Sequence, residues 1–152
     1  MRRAAVLVVW TWASACGDPA PRFSGPVVLG GRSVPAATLE RGAKVYALRC
    51  ASCHGPRGDG RGPSARTLAY PPADLTSGRY PRTTGGADRL PSDEELRARI
   101  LRGIVDRGMP SFRYLPAEDL DAVVQFLKTL APNWRKAPGP DAGAPSSPAG
   151  PK

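Results

Sequence analysis

The sequence predicts an all-α fold, three main helices with long loops wrapped around something other than protein. Two observations argue for helices: apolar residues recur at i, i+3 and i+4 in three segments, and no pair of segments alternates convincingly as strands. A third argues for the wrapping. About forty residues rich in Gly and Pro separate the first two helices, a length that a compact domain rarely tolerates without something to enclose.

The first helix is expected over 38–49. Thr38 stands as N-cap, and Leu39, Gly42, Val45 and Tyr46 share a face with Arg49 at its polar edge. Glu40 in the first turn and Arg49 in the last suit the helix dipole. The second helix has the strongest start signal: Ser92-Asp93-Glu94-Glu95 is a capping box. Leu96, Ile100, Leu101 and Ile104 then make its apolar face. The third is expected over 117–130, with a stripe of Leu120, Val123, Val124, Leu127 and Leu130 and with Phe126 at its border. Glu118, Asp119 and Asp121 crowd its first turns and Lys128 its last; Pro116 fits the first helical position.

The ends read differently. Arg2 and Arg3 precede an apolar run, Ala4 to Ala15, of 12 residues. A bilayer-spanning helix needs about 20, so residues 1–15 read as a cleaved export signal. Cys16 follows Ala13-Ser14-Ala15, where a lipoprotein's acylated cysteine stands, although Ala13 occupies a place that is usually Leu. Acylation of Cys16 would hold the chain on a membrane. Residues 16–37 read as a Pro/Gly-rich tether and 131–152 as a disordered Pro-rich tail, leaving 38–130 as the folded domain.

Composition excludes several classes. With three Cys and one His, no Cys2His2 zinc finger and no scaffold of several disulfides can be built. The net charge is +9, but the arginines are scattered, without the basic run of a nucleic-acid arm. Residues 38–130 hold 15 basic and 11 acidic side chains, which does not suggest a strongly basic docking ring.

Cys50-Ala51-Ser52-Cys53-His54 is Cys-x-x-Cys-His, the attachment signature of c-type haem. Two thiols three positions apart can each form a thioether with one porphyrin, and His54 then meets the iron. Zinc would need ligands that the chain lacks. A thioredoxin-type pair would open a helix after a strand, whereas here a helix precedes and a glycine loop follows.

Residues 38–130 resemble a class I, monohaem cytochrome c of the bacterial exported kind. Gly42, Tyr46, Cys50, Cys53 and His54 fit its G-x-x-x-[aromatic]-x-x-x-C-x-x-C-H pattern. Gly55, Gly58, Gly60, Gly62 and Pro63 resemble the following loop, Pro71 to Thr76 its continuation, and Leu90 to Leu96, Gly108-Met109-Pro110 and Val123 to Leu130 the later elements. The resemblance implies a close crossing of Gly42 and Tyr46 on Phe126 and Leu127. It implies that the Pro63 carbonyl accepts a hydrogen bond from His54. It also places the second axial ligand in the loop of Met109, the one methionine besides the initiator in a chain without a second His. Arg79, Tyr80 and Arg82 are candidates for the haem propionates, with solvent exposure as the competing reading.

The expected function is one-electron transfer through a single covalent haem c with His54 and Met109 as axial ligands. The partners would be redox proteins on the periplasmic side of a bacterial membrane, with no nucleic acid involved and a lipid anchor at Cys16. Such a chain is a carrier rather than an enzyme. Two alternatives stand beside it: a fixed subunit of a larger oxidoreductase, and a haem sensor or peroxidase-like enzyme in which Met109 dissociates.

Overall fold

The computed structural model describes residues 21–80 and 89–137. The export signal, Cys16, Arg82 and the chain beyond 137 lie outside these residues. Five helices and one small sheet follow in the order β1 (Val27–Leu29), β2 (Arg32–Val34), α1 (Ala36–Arg49), α2 (Ala51–His54), α3 (Asp93–Arg102), α4 (Ala117–Leu130) and α5 (Asn133–Lys136). Single 3-10 turns at Pro63–Thr67, Leu75–Ser77 and Val105–Arg107 punctuate the loops. No helix among the described residues is long and apolar enough to cross a membrane.

The core forms where α1 crosses α4. Leu39, Ala43, Val45 and Tyr46 of α1 meet Leu120, Val123, Val124, Phe126 and Leu127 of α4, all buried. At the crossing, a Cβ on Gly42 would collide with the Ala122 carbonyl and lie 2.7 Å from Phe126 Cβ, so only a residue without a side chain allows this approach. The Tyr46 and Phe126 rings pack at 5.3 Å between centroids, as expected from the sequence. Arg41 clamps the helices at one end, with its Nε 2.6 Å from Asp119 and its Nη1 2.7 Å from Glu118.

The capping box forms as expected. Ser92 Oγ accepts from the Glu95 N–H, and the Glu95 carboxylate accepts from the Ser92 N–H. Helix α3 ends at Gly103 rather than running on to Ile104. The chain turns there at φ +69°, so Ile104 leaves the helix and pairs with Met109 as an antiparallel bridge. Pro116 stands as N-cap of α4, one position before the expected place. Helix α1 begins two residues before Thr38, with Pro35 at its cap, which leaves Glu40 outside the first turn.

The tether and tail readings need correction at their inner edges. Residues 27–34 form a β-hairpin in which Val27, Val28 and Leu29 pair with Val34, Ser33 and Arg32. Its turn is Gly30-Gly31, both at positive φ, as a two-residue hairpin loop requires. At the other end Ala131 and Trp134 are fully or nearly buried. The two ends meet: the Gly30 N–H donates to the Trp134 carbonyl at 2.8 Å. The fold therefore begins about ten residues before Thr38 and continues through α5, and the expectation that the chain has no strand pair fails.

Lys128, expected as a last-turn cation, is 3% exposed. Its ammonium pairs with Asp93, donates to Gln125 Oε1 at 3.0 Å and lies 5.2 Å from the Trp134 ring centroid. Burial alone pushes the Asp93 carboxyl up. Lys128, Gln125 and Arg97 outweigh it and hold the group below the usual carboxylate range.

Candidate haem site

Cys50 joins α1 to α2. Its N–H donates to the Tyr46 carbonyl at 2.8 Å, while its own carbonyl accepts from the Cys53 and His54 N–H groups. Both thiols therefore stand on one helical turn, free of any disulfide, with His54 as the next residue. The glycine loop closes this turn. Gly60 N–H donates to the His54 carbonyl at 2.8 Å and Gly62 N–H to the Cys53 carbonyl at 3.0 Å, satisfying acceptors that a helix end leaves open. Tyr46 ties the same loop to the core, its buried hydroxyl donating to the Gly55 carbonyl at 2.7 Å. Burial raises the Tyr46 pKa, helped by Cys50 and Asp59, so this hydroxyl stays a donor.

His54 Nδ1 lies 3.0 Å from the Ala73 carbonyl. A carbonyl only accepts, so Nδ1 carries the proton and Nε2 keeps its lone pair for a metal. Burial lowers the His54 pKa, and the Ala73 bond only partly offsets it, which favours the neutral imidazole that a metal needs. The partner carbonyl belongs to Ala73 where Pro63 was expected. Pro63 instead opens the 3-10 turn that follows the glycine loop. Nothing local in Pro71-Pro72-Ala73 marks that carbonyl, because a backbone acceptor has no side-chain signature.

Burial, and then the neighbouring Cys53, push the Cys50 thiol up to about 11. A thiol so hard to ionise is unsuited to disulfide exchange, where the thiolate attacks. Among the described residues no three His, Cys, Asp or Glu side chains converge into a metal cage. Two adjacent thiols, an oriented imidazole and no closing ligand fit a haem attachment site and do not fit zinc.

Met109 is half-buried against the apolar core. Its N–H and carbonyl both bond to Ile104, at 3.1 and 2.9 Å, which closes a tight loop around Gly108. That loop is seated on the chain downstream of His54: a Cβ on Gly108 would be 3.1 Å from Leu68 Cδ2, and the Arg107 guanidinium lies 4.7 Å over the Tyr70 ring. The fold thus joins Tyr46, Cys50, Cys53 and His54 in one unit and brings the Met109 loop onto the segment that leaves it. Of the propionate candidates, Arg79 is exposed and Tyr80 half-buried against the core.

These features define a small helical domain built to carry a covalently attached haem. The chain belongs to the cytochrome c family, whose model matches residues 39–131, and covalently bound haem c is its cofactor. No curated protein matches the chain. Among solved structures it is similar to a chain of the reducing HAO-like protein complex of Kuenenia stuttgartiensis, with 32% identity and a TM-score of 0.61. The match covers 72% of this chain and 51% of that one, so the chain spans about half the length of its structural neighbour.

Proposed function

We propose that this cytochrome c is a one-electron carrier with thioethers at Cys50 and Cys53 and axial ligation by His54 and Met109. It would pass electrons between redox proteins on the periplasmic side of a bacterial membrane. When bound, haem c supplies reversible one-electron exchange at iron, and His/Met ligation favours the reduced form. The chain's own residues supply rigidity and exclude water. The Ala73 carbonyl holds the His54 proton on Nδ1, Tyr46 fixes the loop after it, and Ile104 holds the Met109 backbone at both its polar groups.

The observation that carries this reading is the oriented His54 imidazole one residue past two free thiols. Met109→Ala tests the ligand set. The sulfur-to-iron charge-transfer band of the ferric protein should disappear. The potential should fall by roughly 0.1–0.3 V, within the ~0.8 V span that axial ligands command. An unchanged spectrum would remove Met109 from the site. Rapid carbon monoxide binding by the unaltered ferrous protein would favour a sensor or peroxidase-like role instead.

The likeness to a chain of an HAO-like complex supports a second reading, in which the protein is an electron-transfer subunit of a larger oxidoreductase. Co-purification of the native protein separates a free carrier from a subunit. Membrane attachment through Cys16 rests on the Met1-Arg2-Arg3 start and the Ala13-Ser14-Ala15-Cys16 run. Mass spectrometry of the mature N-terminus tests it, and an unmodified Cys16 or a different first residue rejects the anchor.

A further inference from the structure

Met109 sits in a loop that leaves the end of α3 and returns to it. On the near side Ile104 closes the loop, its N–H and carbonyl both bonded to Met109. On the far side it is closed by the two residues after Pro110. The Ser111 hydroxyl donates to the Leu101 carbonyl at 2.7 Å, and the Phe112 N–H donates to the Ile100 carbonyl at 3.2 Å. Both carbonyls belong to the last turn of α3, where a helix leaves acceptors open. Between the two closures the chain is pressed on Gly103. A Cβ there would lie 2.6 Å from the Met109 carbonyl oxygen and 2.5 Å from that of Pro110.

The Ser111 bond is unlike others of its chemistry in this fold. Thr67, Ser77 and Thr129 each donate to a carbonyl three residues earlier, a local arrangement that closes no loop. Ser111 reaches ten residues back, across the whole Met109 loop. It is half-buried, which limits competition from water. Pro110 has no N–H to offer, and the hydroxyl of the next residue supplies the anchor beside Met109. Phe112, next in the chain, is buried and fixes the segment from which that hydroxyl reaches.

We propose that Ser111 is a positioning residue for Met109: its hydroxyl fastens the loop to the end of α3 and so keeps the thioether at the iron. The inference rests on the reading of Met109 as axial ligand. Release of the thioether requires the loop to open, and opening breaks the Leu101 bond. Without the hydroxyl, the closed loop leaves the Leu101 carbonyl lacking that donor, whereas an open loop admits water to it. Removing the hydroxyl therefore shifts the balance towards opening.

The test uses the full-length haem-loaded protein and imidazole, which binds the ferric form once the thioether has left. S111A and S111V should bind imidazole about two- to tenfold faster than the wild type, the factor that one hydrogen bond commands. S111T keeps the hydroxyl and should return to the wild-type rate, while M109A sets the upper limit. Hydrogen exchange at the Met109 and Phe112 N–H groups should quicken in S111A. T129V removes a bond of the same kind and length from α4 and should leave the imidazole rate unchanged.

A wild-type rate in S111A, or an equal acceleration in T129V, would overturn the positioning role while leaving Met109 as ligand. Equal rates in S111T and S111V would overturn it too, whether or not S111A takes up haem. A wild type that binds imidazole as fast as M109A would overturn the ligand reading and the positioning role together.

Discussion

The α1–α4 crossing and the loop region around His54 and Met109 are held together in different ways. The crossing is an interlock of side chains, with Gly42 beneath Phe126 and a buried stripe on each helix. The loops are held by backbone hydrogen bonds: Gly60 and Gly62 to His54 and Cys53, Ile104 to Met109, Leu75 to Gly58. They contribute few buried apolar side chains, Leu75 and Phe112 among them. A region that satisfies its polar groups without building a core is suited to closing around an apolar cofactor, which then serves as its core. The helix crossing positions the turn that carries Cys50 and Cys53, and the loops bring Met109 onto the chain that leaves it.

Substitutions at four positions break or sharpen this contrast. The largest effect is expected from Gly42→Val, because the new branches meet the Ala122 backbone, which cannot yield as a side chain can. A loss of about 3 kcal/mol or failure to fold should follow, read from urea unfolding of the haem-loaded protein. A loss below about 1 kcal/mol would show that the crossing is looser than the geometry implies. Gly103→Ala probes the loops. Its φ is +69°, and a Cβ there would stand 2.5 Å from the Pro110 carbonyl oxygen, so about 2 kcal/mol should be lost. The charge-transfer band should weaken while the far-ultraviolet helical signal holds. Equal loss of both signals would mean that the two regions unfold as one.

Tyr46 is the joint between the regions, rising from the crossing to hold the Gly55 carbonyl. Tyr46→Phe keeps the ring on Phe126 and removes the bond, at a cost of about 1 kcal/mol. Hydrogen exchange should quicken in residues 55–62 and remain slow in α1 and α4. The smallest effect belongs to Asp93, and its signature is the acid limb of the stability profile. Its folded pKa is lowered, so its stabilisation is complete above the unfolded value of about 3.9. That stabilisation is lost as pH falls through the lower folded value. Asp93→Asn should therefore lower stability at neutral pH and flatten its decline below about pH 4; an unaltered acid limb would remove Asp93 from the acid response.

The legibility of the chain follows the same division. The three long helices could be read because each carries its own periodic stripe, and the capping box at Ser92 and Glu95 is complete within four residues. Cys50, Cys53 and His54 could be read because their chemistry requires adjacency in sequence. The hairpin at 27–34 was legible in part: two Gly after a short apolar run are a turn signal, but three-residue strands carry too little alternation to stand out from a tether. Lys128 gave no sign of burial, since its partners Asp93 and Trp134 lie on other helices.

By itself the sequence determined the three long helices, the attachment motif and the membership of residues 39–131 in the cytochrome c family. Each rests on residues close together along the chain, where spacing alone carries the chemistry. Tertiary structure decided which carbonyl orients His54, where the fold begins and ends, and that Lys128 is buried. Those outcomes depend on residues tens of positions apart meeting in space. The pairing of Gly30 with Trp134 and of Ala73 with His54 exists only once the helices have crossed.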